Sequence, residues 1–240
     1  MRTVFFYLTL AAILLAGCHA SADGKKTEAG AEPDTLKYVA LSFDDGPNTT
    51  ITPRILDLME KYEVTGSFFV IGQHITEESA AVMKRACDMG CEIQNHSLTH
   101  SMMTQLTVAQ MKEEVERTSQ LIEQYTGTRP TLFRPPYINV NQTMHDSIPL
   151  IFICGEGCQD WEPTVSAEQR AAHMLETAAD GLIYLLHDFE GNEATVQALD
   201  SVIPALKARG FAFTTVSGLF KTKGITPAKG ILYTNVLQKE

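Results

Sequence analysis

From Leu36 onward, short apolar runs alternate with amphipathic stretches of helical period. Tyr38–Phe43 predicts a strand. Thr52-Pro53 behind it predicts a helix N-cap and first-turn pair, with Ile55, Leu56 and Met59 as the apolar face. Gly66–Ile71 predicts a second strand, Glu77–Met89 a helix that Gly90 stops, and Cys91–Gln94 a short third strand. The clearest helix begins at Thr107, where Gln110 completes a capping-box pattern. Val108, Met111, Val115, Ile122 and Tyr125 then recur at helical spacing as far as Gly127. Thr131–Phe133 and Leu150–Ile153 predict strands, and Ser166 with Gln169 caps a helix reaching Ala178. Leu182–Leu186 is a continuous apolar run, the mark of a strand buried on both faces. Asn192–Ala208 predicts a helix and Phe211–Thr215 a strand. Residues 222–240 fall outside this rhythm and read equally as an appended strand or a loose tail.

Such alternation predicts a parallel α/β domain. Seven units suit a closed or nearly closed (β/α) barrel, with a doubly wound open sheet as the alternative from periodicity alone. In either architecture, chemistry belongs at the C-terminal ends of the strands.

The N-terminus follows a different pattern. Met1-Arg2 precedes an apolar run, Val4–Ala16, too short for the roughly 20 residues of a spanning helix, and it reads as an export signal. The run closes on Leu15-Ala16-Gly17-Cys18, which resembles the lipobox of bacterial lipoproteins; a plain secretory signal is the alternative. The expectation is cleavage before Cys18, lipid on its thiol and anchorage of the exported chain to the bacterial cell envelope through the membrane. Residues 18–35 read as a flexible tether, which divides the chain into a signal peptide (1–17), the tether (18–35), a catalytic domain (36–221) and a C-terminal extension (222–240). With 19 basic and 29 acidic residues the formal charge is −10, which gives no electrostatic case for binding nucleic acid. Neutral sugars are compatible with it. Cys87, Cys91, Cys154 and Cys158 form two C-x3-C pairs, looser than zinc-knuckle spacing. Buried free thiols or one disulfide remain open.

The predicted strand ends carry the reactive side chains. The first ends in Ser42-Phe43-Asp44-Asp45-Gly46-Pro47. The third runs into Asn95-His96-Ser97-Leu98-Thr99-His100, whose two histidines, at i and i+4, can share one face and one metal. Position 97 is Ser, so the metalloprotease motif is excluded. Asp45, His96 and His100 make the two-His, one-carboxylate set of an open catalytic zinc site, and Asp44 is left as a base. Leu185-Leu186-His187-Asp188 supplies an acid at a later strand end; Asp188 also reads as a cap on the loop that follows. Phe133-Arg134-Pro135-Pro136-Tyr137 makes a rigid extended segment suited to presenting a backbone N–H. His74, His145 and His173 are assigned no role.

In this order and spacing, SFDDG, HSLTH, RPPY, DW and LLH resemble the polysaccharide deacetylases, carbohydrate esterase family 4, over Leu36–Phe220. The resemblance implies a distorted (β/α) barrel, usually of seven strands, and a hydrolase that removes acetyl groups from a polysaccharide or oligosaccharide. It implies Asp44 as general base, held by Arg134, and a divalent metal on Asp45, His96 and His100. Zn2+ comes first, with Co2+ or Ni2+ as alternatives. It further implies His187 as general acid with Asp160 as its partner, the Tyr137 N–H at the oxyanion, and Leu185 and Trp161 around the acetyl methyl. Two departures flank the pocket. The family's D-x-x-D-W motif reads Gly157-Cys158-Gln159-Asp160-Trp161, without the first acid, and no glycine follows Tyr137. The region 137–220 also resembles the acetylxylan-esterase branch, particularly Glu168-Gln169-Arg170-Ala171-Ala172, so N-deacetylation and O-deacetylation of xylan both stay open. A non-catalytic glycan-binding lipoprotein is a further alternative; it would be expected to lack a base, an acid or a metal ligand.

Overall fold

Alternate residues of β1 (Lys37–Asp44) are sorted to two sides of a sheet. Val39, Leu41 and Phe43 pack outward with Ile55, Leu56 and Met59 of α1 (Ile51–Lys61), while Ala40 joins a second core inside the curl of the sheet. The period of two therefore turns Ser42 and Asp44 inward as well. The computed structural model describes residues 36–238. The chain continues through β2 (Gly66–Val70), α2 (Glu77–Asp88), β3 (Glu92–Asn95), α3 (Val108–Thr126), β4 (Leu132–Phe133), α4 (Gln142–Ser147) and β5 (Ile151–Ile153). It then forms β6 (Glu156–Gly157), α5 (Ala167–Thr177), β7 (Ile183–His187), α6 (Glu193–Ala208), β8 (Phe211–Phe213), α7 (Val216–Thr222) and β9 (Leu232–Tyr233). The expected signal peptide, Cys18 and the tether lie outside the described residues.

The strands pair in parallel in the order β6-β7-β1-β2-β3-β4-β5-β9, with β8 beside the start of β1. Beyond β9 the chain reaches the start of β7. Leu182 and Asn235 form an antiparallel bridge, Ile183 N–H donates to Thr234 O at 3.1 Å, and Val236 N–H donates to Gly181 O at 2.9 Å. The sheet thus curls into a distorted (β/α) barrel, and β9 fills the seam between β5 and β7. Among the described residues nine strands replace the seven expected, because β6 and β9, of two residues each, are too short to leave a periodic signal. The stretch after α7 is a strand in the sheet, and Tyr233 and Val236 are buried with Phe220 in the inner core.

The capping boxes at Thr107/Gln110 and Ser166/Gln169 form, and Gly127 ends α3 in the left-handed conformation at φ 73°. The start of α1 differs from the expectation. The helix opens at Ile51, and Asn48 Oδ1 rather than Thr52 accepts from the backbone N–H groups of Thr50, Ile51 and Thr52 at 3.0, 2.7 and 3.2 Å. Thr52 lies within the helix at its second position; its hydroxyl donates to Asp188 Oδ2 at 2.6 Å and accepts from Asn48 N–H at 3.1 Å. Val108, expected on the apolar face of α3, is exposed at the helix's first position, one turn before that face meets the core.

Candidate active site and metal centre

Four strand ends converge. Asp44 closes β1, in register with His187 on β7; His96 follows β3, and Arg134 follows β4. The two histidines meet by a route other than a helix face. His96–His100 is a loop with Ser97 and His100 at φ 67° and 56°, so left-handed turns, not helical spacing, bring the rings to 4.9 Å. Glu114 on α3 clamps that loop, its Oε2 accepting from Leu98 N–H at 2.9 Å and Thr99 N–H at 2.8 Å and its Oε1 from the Thr99 hydroxyl at 2.8 Å.

Asp45 Oδ1 lies 3.5 Å from His96 Nε2 and 3.6 Å from His100 Nε2. Ligands at ~2.1 Å around a tetrahedral ion stand ~3.4 Å apart, so Asp45 is at metal-ligand spacing from each histidine, and the three donor atoms all lie within 4.8 Å of one another. Asp45 Oδ1 is buried and has no hydrogen-bond donor in the protein, a costly state for a carboxylate oxygen unless a cation meets it. His96 Nδ1 is 2.7 Å from Arg134 O. A carbonyl only accepts, so Nδ1 carries the proton and Nε2 offers its lone pair. Burial, then neighbouring His96, holds His100 below the ordinary histidine pKa. Burial pushes the Asp45 carboxyl up, but the neighbouring His96 side chain and the other histidines around it prevail and hold it below the carboxylate range. One ionised carboxylate and two imidazole nitrogens therefore fit a divalent cation.

Asp44 is buried beside this triad. Arg134, fully buried, donates from Nη1 to Asp44 Oδ1 at 2.6 Å and from Nη2 to Ser42 Oγ at 2.7 Å, and stacks 4.2 Å above the Phe69 ring. Asp44 Oδ2 is left toward the triad, 3.7 Å from His96 Nε2. Across the cleft, Asp160 is also fully buried. Its Oδ1 lies 2.7 Å from His187 Nδ1, and its Oδ2 accepts from His187 N–H at 2.7 Å. Burial pulls the His187 pKa down, but the Asp160 hydrogen bond and charge outweigh it and raise it to about 9.

Asp44, Asp45, His100 and His187 line one cleft of about 650 Å³ together with Tyr137, Trp161, Leu185 and Cys154, while His96, Arg134 and Asp160 lie behind them. Tyr137 and Trp161 are exposed, and Trp161 meets His187 edge-on at 5.6 Å. Strain concentrates here. Asp45, Ser97, His100, Tyr137, Ile138 and Gln159 all have positive φ, at about 1–3 kcal/mol each for a non-glycine residue. Ile138 keeps, at φ 52°, the left-handed backbone that a glycine after Tyr137 would adopt freely. Gly155 must be glycine. Its φ is 124°, and a Cβ would stand 3.0 Å from the Leu185 nitrogen.

All ten sequence-predicted site residues gather around this cleft. Others were not singled out. His74 Nδ1 is 2.8 Å from Asp45 O. Asp188 faces back to the first motif instead of capping the loop after it, packed so close that a Cβ on Gly46 would meet its Oδ2 at 2.4 Å. Burial, with repulsion from Asp45 and Asp44 and against its Thr52 bond, pushes Asp188 up to about 7. Neither contact had a local signal, since each joins segments that only the fold brings together. The four cysteines among the described residues are free thiols, which settles the alternative left open between thiols and a disulfide.

A polysaccharide deacetylase family model matches residues 31–149. A bifunctional xylanase/deacetylase of Pseudobutyrivibrio xylanivorans is 44% identical over 207 residues, covering 86% of this chain and 34% of that protein. A peptidoglycan-N-acetylglucosamine deacetylase of Bacillus cereus is 33% identical over 199 residues, covering 80% of this chain and 92% of that protein. The solved Xyl-CE4 domain of a multidomain xylanase from the hindgut metagenome of Trinervitermes trinervoides superimposes with a TM-score of 0.82 at 43% identity, over 84% of this chain and 98% of that one. A family 4 acetyl xylan esterase from Clostridium thermocellum, in complex with a cobalt ion, gives 0.82 at 40% identity over 84% and 100%. This chain belongs to the polysaccharide deacetylase family. It spans about a third of the Pseudobutyrivibrio protein's length. In this member of the family, Gly157 replaces the first acid of the family's fourth motif. A Cβ there would touch the Trp161 ring at 3.4 Å, so its absence leaves that ring face uncovered.

Proposed function

We propose that this chain is a metal-dependent deacetylase of acetylated polysaccharide, with O-acetylated xylan as its leading substrate. The observation that carries the reaction is the placement of a buried Asp44–Arg134 pair and a buried Asp160–His187 pair around one Asp45–His96–His100 donor triad. Zn2+ is the proposed ion, with Co2+ or Ni2+ as alternatives, on the strength of two imidazoles and one carboxylate. A divalent cation held there supplies Lewis acidity to the acetyl carbonyl and acidifies the attacking water.

The protein's own residues do the rest. Asp44, its Oδ1 fixed by Arg134, takes the water proton on Oδ2. The Tyr137 N–H donates to the oxygen of the tetrahedral intermediate, a contact worth ~3 kcal/mol per donor in comparable sites. Leu185 and Trp161 enclose the methyl. His187, with Nδ1 engaged by Asp160, protonates the departing sugar oxygen from Nε2 as the C–O bond breaks. Acetate and a free sugar hydroxyl result.

Support for xylan is the higher identity to xylan-related relatives than to the peptidoglycan deacetylase. N-deacetylation is the second reading, favoured by the intact His187–Asp160 pair, since an amine departs only when protonated. Acetate release from acetylated xylan and from an N-acetylglucosamine oligomer, measured in parallel, separates the two. The Leu15-Ala16-Gly17-Cys18 segment supports export and a lipid anchor on Cys18; mass spectrometry of the membrane fraction tests it.

A further inference from the structure

Arg170, on α5, is buried and forms no direct ion pair with any carboxylate among the described residues. Its guanidinium donates to four neutral acceptors: Asn192 Oδ1 at 2.6 Å, Thr195 Oγ1 at 2.9 Å, Val165 O at 3.0 Å and Glu162 O at 3.2 Å. A buried cation with only neutral partners is costly, so its placement calls for a reason. The compensating charge lies one hydrogen bond further on, at Asp160. The Thr195 hydroxyl is 3.0 Å from Asp160 Oδ2, and Asn192 Nδ2 is 3.4 Å from the same oxygen and 2.9 Å from His187 O.

Donor chemistry makes this arrangement directional. Arginine can only donate. Thr195 Oγ1 must therefore accept from Arg170, and its one proton is directed to Asp160. Asn192 Oδ1 must likewise accept, which orients the amide so that its NH2 faces Asp160 and the His187 carbonyl. With the His187 N–H, Asp160 Oδ2 is held by donors alone, and Oδ1 is reserved for His187 Nδ1. The bonds to Glu162 O and Val165 O pin the turn that follows Asp160-Trp161. The EQRAA stretch that carries Arg170, one of the resemblances to the acetylxylan-esterase branch, thereby gains a physical task.

We propose that Arg170 is a positioning residue of the acid side, fixing the direction of the hydrogen bonds through Thr195 and Asn192 so that Asp160 holds His187 with Nε2 toward the leaving group. This rests on His187 being the general acid. The raised His187 pKa, to about 9, agrees with it.

The test compares two acetyl esters on the metal-loaded full chain: acetylated xylo-oligosaccharide, whose alkoxide must be protonated, and 4-nitrophenyl acetate, whose phenolate departs unaided. General acid catalysis is worth 10²–10⁴-fold. Misaligning it through Arg170→Met should lower kcat on the sugar ester by roughly tenfold or more while KM stays within about twofold and the aryl ester rate within about threefold. Thr195→Val, which leaves Arg170 in place, should repeat the selective loss, and Thr195→Ser should restore it. In the metal-free chain, ¹⁵N NMR should show the His187 Nδ1–H···Asp160 signature weakened in Arg170→Met and Thr195→Val and intact in Thr195→Ser. Equal loss on both esters, or an unchanged sugar-ester rate in Thr195→Val, overturns the proposal. His187→Ala separates the two claims. If it spares the sugar ester, the acid assignment fails; if it shows the selective loss and the Arg170 and Thr195 variants do not, only the positioning role fails.

Discussion

Replacing Asp160 by Asn removes a charge and almost no volume, and its effect can be worked out from the two forces acting on His187. Burial alone favours neutral imidazole; the Asp160 carboxylate, 2.7 Å from Nδ1, reverses this and raises the pKa to about 9. Against an ordinary value of ~6.5, that difference corresponds to roughly 3 kcal/mol at 1.36 kcal/mol per unit. The sign follows from a folded-state pKa above the unfolded one. This stability is fully present below pH ~6.5 and is lost as pH rises through about 9. In Asp160→Asn burial is opposed only by the weaker pull of the Asp44 and Asp45 charges, so the His187 pKa falls from about 9 toward the ordinary histidine range, and most of that stability is lost. Histidine NMR titration of the metal-free chain measures the pKa directly, and urea midpoints across pH 6–10 measure the stability. The variant's deacetylation near neutral pH should fall by 10²–10⁴-fold, the span of general acid catalysis. A wild-type His187 titrating at or below ~6.5, or one unmoved by Asp160→Asn, would refute the reasoning.

Arg134→Met leaves Asp44 buried without its cation, so unfolding free energy from denaturant titration should drop by about 3–5 kcal/mol, with activity lost as well; an unchanged midpoint contradicts the pairing. His100→Ala and Asp45→Asn should each remove the d–d absorption of Co2+ added to the purified protein, whereas His145→Ala, whose ring packs on Phe152 away from the triad, should keep it. Burial pushes Cys91 to about 11 and Cys158 to about 12, so both should stay unreactive to a disulfide reagent at pH 8 until the chain is unfolded. Rapid reaction of either in the folded state would contradict their placement.

The barrel and the reactive set were legible for different reasons. Runs such as Leu182–Leu186, and the capping boxes at Thr107 and Ser166, are strong local signals that tertiary contacts reinforce. Asp44, Asp45, His96, His100, Arg134 and His187 stood out because each follows or ends a predicted strand, where parallel α/β folds place chemistry. Contacts between distant segments stayed hidden. β6 and β9 exist only through their neighbours, Asn48 caps α1 because the helix opens at Ile51 with Thr52 already inside it, and the two histidines of the donor triad converge through left-handed residues that no helical spacing encodes. Arg170 looked like an ordinary helical residue until the fold placed Thr195 and Asn192 between it and Asp160.

The most direct test is acetate release from acetylated xylan by the zinc-loaded protein, with and without chelator, beside an Asp44→Asn control. The account predicts release that stops on chelation, returns when zinc is restored, and is lost in Asp44→Asn. Release indifferent to chelator, or undiminished in Asp44→Asn, would contradict it, as would no release from either acetylated xylan or an N-acetylglucosamine oligomer.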